Sequence, residues 1–356
     1  VTDPVAWDVA LRVARQAVRF APPLDPATRR RLGDDFAEAT ARAERLVEEV
    51  TGLSSSEGPA RARVTDRAGW VEANVGTFRR LLRPIGERLA ASATTRKALN
   101  PASRAAAGVE VGLVLSWMSG RVLGQYDMLG SDEGDDGDVV YYVGPNVVAL
   151  ERRHGFPPQE FRLWIALHEV THRLQFTGVP WMQEHFLGIV ERGAALTTPD
   201  TKAILQSVRR AAAEVRAGNN PLAEGGIIGL LATSEQLATL HEAQALMSLL
   251  EGHGDVVMSR AGQQQVPGAA RFARVLKERR ESASGVARAV QQMIGIEAKM
   301  RQYAEGERFI EEVERAGGDE LLAVVWRSPE MLPSLEEIRE PERWVARVGG
   351  TRHAGV

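Results

Sequence analysis

The stretch LHEVTHRLQF, residues 167–176, carries two histidines four residues apart, with a glutamate directly after the first. On a helix, positions i and i+4 lie one turn above each other, so His168 and His172 can bind one ion together. Glu169 projects to the side, where it can reach a water on that ion without binding the ion itself. This is the HExxH arrangement, in which a single turn supplies two ligands and a general base. With 7 histidines in the chain, chance would supply on the order of 0.01 such matches. The rival reading is a pair of core histidines bonded to their neighbours.

The flanking residues predict the helix that the motif needs. Pro157 and Pro158 mark its start, Glu160 falls in the first turn, and Gly178 followed by Pro180 ends it. At 100° per residue, Leu163, Leu167, Val170 and Leu174 make one apolar side. Phe161, Ile165, His168, His172 and Phe176 line the opposite side. A helix that is apolar on two faces belongs inside a domain, and its histidines are then buried with it.

A catalytic zinc takes three protein ligands and leaves a fourth position for water. The chain has no cysteine, so the third ligand must be His, Asp or Glu. His154 and His185 lie nearby in sequence, but isolated histidines are more often ordinary polar residues. The HExxHxxGxxH pattern is absent, because Gln175 and Gly178 occupy its glycine and third-histidine positions. A better source is TSEQLATLHEAQALMSLLEGHGD, residues 233–255. Thr233 and Gln236 fit a capping box, and Leu237, Leu240, Gln244, Met247 and Glu251 then share one stripe. A carboxylate on such a stripe calls for a cationic partner. Zinc would supply that charge.

Asp255, one turn beyond Glu251, is a candidate for orienting a ligand histidine from outside the ligand set. Gly252 and Gly254 argue against a continuous helix there and could mark its end. His253 remains an alternative ligand or an oxyanion donor, and Glu242 a more remote choice.

The rest of the chain supplies the setting. Apolar content of 44%, charged content of 26% and a net charge of -3 are ordinary for a globular protein and point to neither nucleic acid nor an acidic membrane. No apolar run reaches the roughly 18 residues that cross a bilayer. The N-terminal VTDPVAWDVALRVARQAVRF reads as an amphipathic helix, not a secretion signal, so a cytoplasmic location is expected.

Helical spacing recurs through 5–20, 27–52, 66–90 and 104–123, and again through 181–197, 200–217, 234–251, 267–281 and 285–316. The acidic GSDEGDDGD at 130–138 matches no EF-hand spacing and reads as a solvated loop. After it, Val139–Val143 and Val147–Leu150 read as one or two strands split by a Gly-Pro-Asn turn. The predicted fold is mainly α with a small β-sheet beside the motif helix (α+β), in one domain over 1–356. A helical part covers about 1–125, the strands and motif helix about 126–200, and a second helical part about 201–356.

These segments together resemble a known family. HEVTH, VVYYVGPNVVAL, VLGQYD at 122–127, SLLEGHGDVVM at 248–258, and the KMRQYAEGERF and WRSPEMLPSLEEI tail are similar to the zincin-like metallopeptidase type 2 family, which is common in actinobacteria. The N-terminal DPVAWDVALRVAR resembles its branch associated with deazaflavin coenzyme biosynthesis. The resemblance implies a zincin-like fold and supports His168, Glu169 and His172 as the functional set. It leaves the third ligand open between Glu251 and His253.

The expected activity is zinc-dependent hydrolysis of a peptide or protein substrate. Glu169 would take a proton from the attacking water and pass it to the leaving amine. The 139–150 strand region could pair with an extended substrate. Tyr126, Tyr142 and His253 are candidate oxyanion donors, although packing is the commoner role for such tyrosines. The alternatives are a zinc-binding scaffold or partner-binding protein without turnover, and a hydrolase of small amides or esters. The sequence gives no oligomeric state.

Overall fold

Hydrogen-bonding pattern assigns most of the chain to helices. They are α1 (Trp7–Val18), α2 (Pro26–Thr51), α3 (Arg67–Ala91), α4 (Pro101–Ser119), α5 (Gly144–His154), α6 (Pro158–Thr177), α7 (Met182–Ala195), α8 (Ser234–Gln265), α9 (Ala269–Glu281), α10 (Ile296–Leu322), α11 (Leu335–Arg339) and α12 (Pro341–His353). The strands β1 (Arg61–Thr65), β2 (Gly124–Asp127) and β3 (Val139–Val143) form one sheet in the order β1-β3-β2. The architecture is a computed structural model that describes residues 3–20, 24–91, 100–128, 138–195, 233–281 and 296–353. Most of GSDEGDDGD, the helix expected at 200–217, the EGGIIG joint and the start of the helix expected at 285 lie outside the described residues. The mainly helical fold with a small sheet is as the sequence predicts.

Helix α6 sits at the centre. Phe161, Leu163, Ile165, Leu167, Val170 and Leu174 are all buried, so both of its apolar sides are covered, as the two-faced pattern requires. Core residues from α2, β3, α5, α8 and α9 surround it. Pro158 occupies its first turn, and its last carbonyls are met by Gly178, whose N–H donates to Leu174. At the other end Glu160 accepts a 2.9 Å bond from the Gly268 N–H, tying α9 to α6.

Strand β3 is the middle strand, parallel to β1 and antiparallel to β2. Its unbroken VVYYV run is buried throughout, which is the pattern of a strand covered on both faces. The expected second strand at 147–150 is a correction. Those residues lie inside α5, which begins at Gly144 with Pro145 in its first turn and ends on Gly155 at φ 59°. Proline presets the helical φ, and burial of Val147 and Leu150 outweighs the weak strand preference of their side chains. Asn146 fixes this entry by donating 2.7 Å bonds to the Ser119 and Val122 carbonyls.

The two glycines that argued against a continuous helix at 252–254 are the second correction. Helix α8 runs through both of them, from the Thr233–Gln236 capping box to Gln265. Gly252 lies directly against Gly306 of α10, and a methyl on Gly306 would overlap the Ser248 carbonyl. The glycines permit two backbones to touch; they do not end the helix. Gly306→Ala is therefore expected to destabilise the fold by about 1–3 kcal/mol through overpacking, read as a lowered urea midpoint at unchanged slope. A neutral result would mean that the two helices are not in backbone contact.

A second apolar cluster joins α8 to the C-terminal helices, with Leu249 and Val256 against Phe309, Val313, Ile338 and Trp344. Helix α1 packs on α4 through Gly108 and Gly112, where a Cβ would stand 2.5 Å from the Ala6 and Ala10 carbonyls. No helix among the described residues is long and apolar enough to cross a membrane.

Candidate metal centre

One turn of α6 brings His168 Nε2 and His172 Nε2 to 3.2 Å from each other. From α8, the buried Glu251 carboxylate approaches with Oε2 at 3.7 Å from His172 Nε2 and 4.0 Å from His168 Nε2. The donor atoms of these three residues all lie within 4.8 Å of one another. Ligands 2.0–2.2 Å from a tetrahedral zinc stand about 3.3 Å apart, so the donors span nearly the edges of such a site. The glycines contribute here too, since Gly254 lies beside both imidazoles, its missing Cβ 3.6 Å from His172 Cε1.

Hydrogen bonding aims the imidazole lone pairs into this space. Gln175 donates from Nε2 to the Leu250 carbonyl at 2.9 Å, which leaves its Oε1 as an acceptor. That oxygen lies 2.9 Å from His172 Nδ1, so Nδ1 carries the proton and the neutral ring presents an Nε2 lone pair. His168 Nδ1 lies 3.2 Å from the Met258 sulfur, a weak acceptor, and the same tautomer follows. Two lone pairs 3.2 Å apart beside a buried carboxylate repel each other unless a cation lies between them. A His₂Glu donor set of this chemistry fits zinc.

A proton can fill the same role. Burial by itself would strip the His172 proton, but the neighbouring Glu251 carboxylate, then Glu169 and Gln175, outweigh burial and raise the pKa to about 9. Below about pH 6.5 that proton stabilises the fold in full, and the contribution is lost as the pH rises through about 9.

Glu169 is buried against β2 at Gly124, where a Cβ would stand 2.6 Å from Glu169 Cγ. A side chain at 124 would displace the carboxylate from its position beside the histidines. Glu169, His168 and Asp255 line one cavity of about 950 Å³, with Trp164, Ile165 and Met258 among its apolar walls.

The other sequence candidates fall elsewhere. His253 is buried and is not among the three converging donors. Its Nδ1 accepts from Gln175 Nε2 at 3.0 Å, and its ring meets Trp326 edge-on at 5.0 Å. Burial, then the charges of His172 and Arg260, lower its pKa to about 3 and keep it neutral. Of the two third-ligand candidates, Glu251 is the one that converges with the histidines. Asp255 lines the cavity, but the ring of His172 is oriented by Gln175.

The tyrosines are corrections. The Tyr142 hydroxyl is 2.7 Å from Thr40 Oγ1, and its ring stacks on Phe36. The Tyr126 hydroxyl bonds Asp138 beside Arg173. Burial raises both pKa values, and neither residue lines the cavity. His154 stacks on Phe156, while His185 lies 3.6 Å from Glu242 in a separate cavity.

Sequence reasoning missed Gln175, Met258, Trp326 and Gly124. Gln175 could have been found, because it follows His172 by three residues and so lies on the same helical side. The other three reach the site only through tertiary contacts.

The family model described as zincin-like metallopeptidase matches residues 5–345. Among solved structures, the chain is similar to a protein from Chloroflexus aurantiacus, described provisionally as a hydrolase with a novel fold. The two share 30% identity with a TM-score of 0.72, over 97% of this chain and 99% of that one. A comparison with curated proteins finds no match.

Proposed function

The chain belongs to the zincin-like metallopeptidase family, and we propose that it is a zinc-dependent amide hydrolase acting on peptides. The observation that carries this reading is the convergence of His168, His172 and Glu251, with His168 and Glu169 lining one substantial cavity.

In this reading His168, His172 and Glu251 hold the ion, and Gln175 holds His172 in the ligating tautomer. When bound, zinc supplies a lowered pKa for a coordinated water and polarises the substrate carbonyl. Glu169 accepts a proton from the attacking water and returns it to the departing amine, so that one water adds across one amide bond. Trp164, Ile165 and Met258 add apolar surface to the cavity that Glu169 lines, which strengthens electrostatic interactions around that exchange. A scaffold without turnover has no use for a cavity opening on Glu169, which favours the enzyme over that alternative.

The N-terminal segment behind the coenzyme-biosynthesis link is α1, which packs on α4 and contributes none of the residues lining the cavity. That link stays an association, with no residue at the site to carry it.

The test begins with a zinc titration of metal-free protein. At pH 7 His172 holds its proton, so uptake of one zinc is expected to release about one proton. Apparent affinity should then rise about tenfold per pH unit and level off near pH 9. Calorimetry in buffers of different ionisation enthalpy reads both quantities. Zinc-loaded protein is then screened against a peptide library and a set of small amides by mass spectrometry. Cleavage of peptides supports the proposal, and cleavage of small amides alone would redirect it. Binding of zinc with no hydrolysis of either set would favour the scaffold.

A further inference from the structure

The cavity beside Glu169 has walls of unlike charge. Helices α8 and α10 contribute acids, Asp255 and Glu307. Helix α9 and the turn between α4 and β2 contribute Arg121, Arg274, Lys277 and Arg279 to the same cavity. We propose that these cations form a subsite for a carboxylate on the substrate, so that the enzyme selects peptides that present an anionic group near the cleaved bond. The proposal rests on the hydrolase reading above and extends it to substrate class.

Geometry sets the cations close to the reacting centre. Arg279 Nη2 donates to the Gly120 carbonyl at 3.3 Å, which pins the end of α9 to the turn that carries Arg121. Gly124, three residues after Arg121, abuts Glu169. At about 3.3 Å per residue, the backbone of Arg121 lies at most about 10 Å from that contact. This is the reach of two or three residues of extended peptide.

Gathering like charges is unfavourable without a counter-charge. Burial lowers the pKa of the Arg279 guanidinium, and Arg121, Arg153 and Arg67 lower it further. Some of these cations have structural duties. Arg67 donates to Asn146 Oδ1, and Arg121 donates to the Trp117 carbonyl while stacking 3.9 Å from the Trp117 ring centroid. Arg274 and Lys277 are exposed at the cavity on α9. With low-dielectric walls of Trp164, Ile165 and Leu276 beside it, a cationic cluster of this kind focuses its field on an entering anion.

The anion could be an acidic side chain or the C-terminal carboxylate of a short peptide. Three hydroxamate-capped tripeptides separate these sources and also report on the metal centre, since the hydroxamate chelates zinc. One ends in a free carboxylate with neutral side chains. The second is amidated and carries Asp at its last residue, and the third is its amidated Asn counterpart.

Affinity for the zinc-loaded protein is measured at 50 mM and 500 mM salt. At low salt, at least one acidic probe is expected to bind about tenfold tighter than the neutral one. That advantage should shrink at high salt and disappear in the Arg274→Gln/Lys277→Gln double variant, whose changes are on the surface. Binding of the neutral probe must be the same in wild type and double variant, which controls for folding. Equal affinity for all three probes overturns the subsite and leaves the metal centre standing. Binding of none of them to zinc-loaded protein overturns the hydrolase reading, and the subsite with it.

Discussion

Glu169→Gln is expected to lower turnover of the best peptide substrate by about 10²–10⁴-fold while leaving zinc content unchanged. The exchange keeps the size and shape of the side chain, so it still fits against Gly124. It removes only the group that can take a proton. Glu169 is outside the trio of donors that converge on the ion site, and for that reason metal affinity should hold. The fall corresponds to about 3–5 kcal/mol of lost transition-state stabilisation. Steady-state kinetics paired with zinc analysis by plasma emission makes the comparison. A variant that keeps its zinc and its rate would remove Glu169 from the mechanism.

Arg173→Met is expected to lower global stability by about 3–5 kcal/mol. Arg173 follows His172 on α6 and its side chain is fully buried. It donates to both Asp138 oxygens at 2.7 and 2.5 Å, to Glu44 at 2.6 Å and to the Gly58 carbonyl at 2.6 Å. Its guanidinium thus ties α2, the turn before β1 and the start of β3 to the helix that carries the histidines. Methionine fills much of the space but leaves two carboxylates with little exposure to water and no cation. Arg173→Lys should recover only part of the loss, because a point charge cannot make the paired bonds to Asp138. Urea denaturation of the three proteins checks the order wild type, Lys, Met. An unchanged midpoint for Met would mean that the ion cluster contributes nothing net.

Local chemistry accounts for what was legible in the sequence. The HExxH helix was bounded by prolines and a glycine, and α6 follows those bounds at Pro158–Thr177. The Thr233–Gln236 capping box is formed in both directions. Glu251 could be singled out because a carboxylate on an apolar stripe needs a cationic partner.

Features decided by tertiary packing were not legible. VVAL has strand-like side chains, yet the preceding Gly-Pro-Asn and the burial of Val147 make it helical. Gly252 and Gly254 look like helix breakers until a second backbone is found against one and the imidazoles against the other. The tyrosine hydroxyls could have served the site. Only their contacts, Tyr142 with the distant Thr40 and Tyr126 with Asp138 across the loop before β3, show that they are already engaged.

The meeting of Gly252 and Gly306 also bears on the order in which the ion cage can close. His168 and His172 are neighbours as soon as α6 forms, but Glu251 joins them only after α8 has docked. The face of α8 at Gly252 is covered by α10, which arrives from still later in the chain. A newly made chain can therefore offer a metal two donors early and the third only when its C-terminal half is in place. Completion of the three-donor set is then a late step, and a chain cut short before α10 would lack the packing that seats Glu251 beside the histidines.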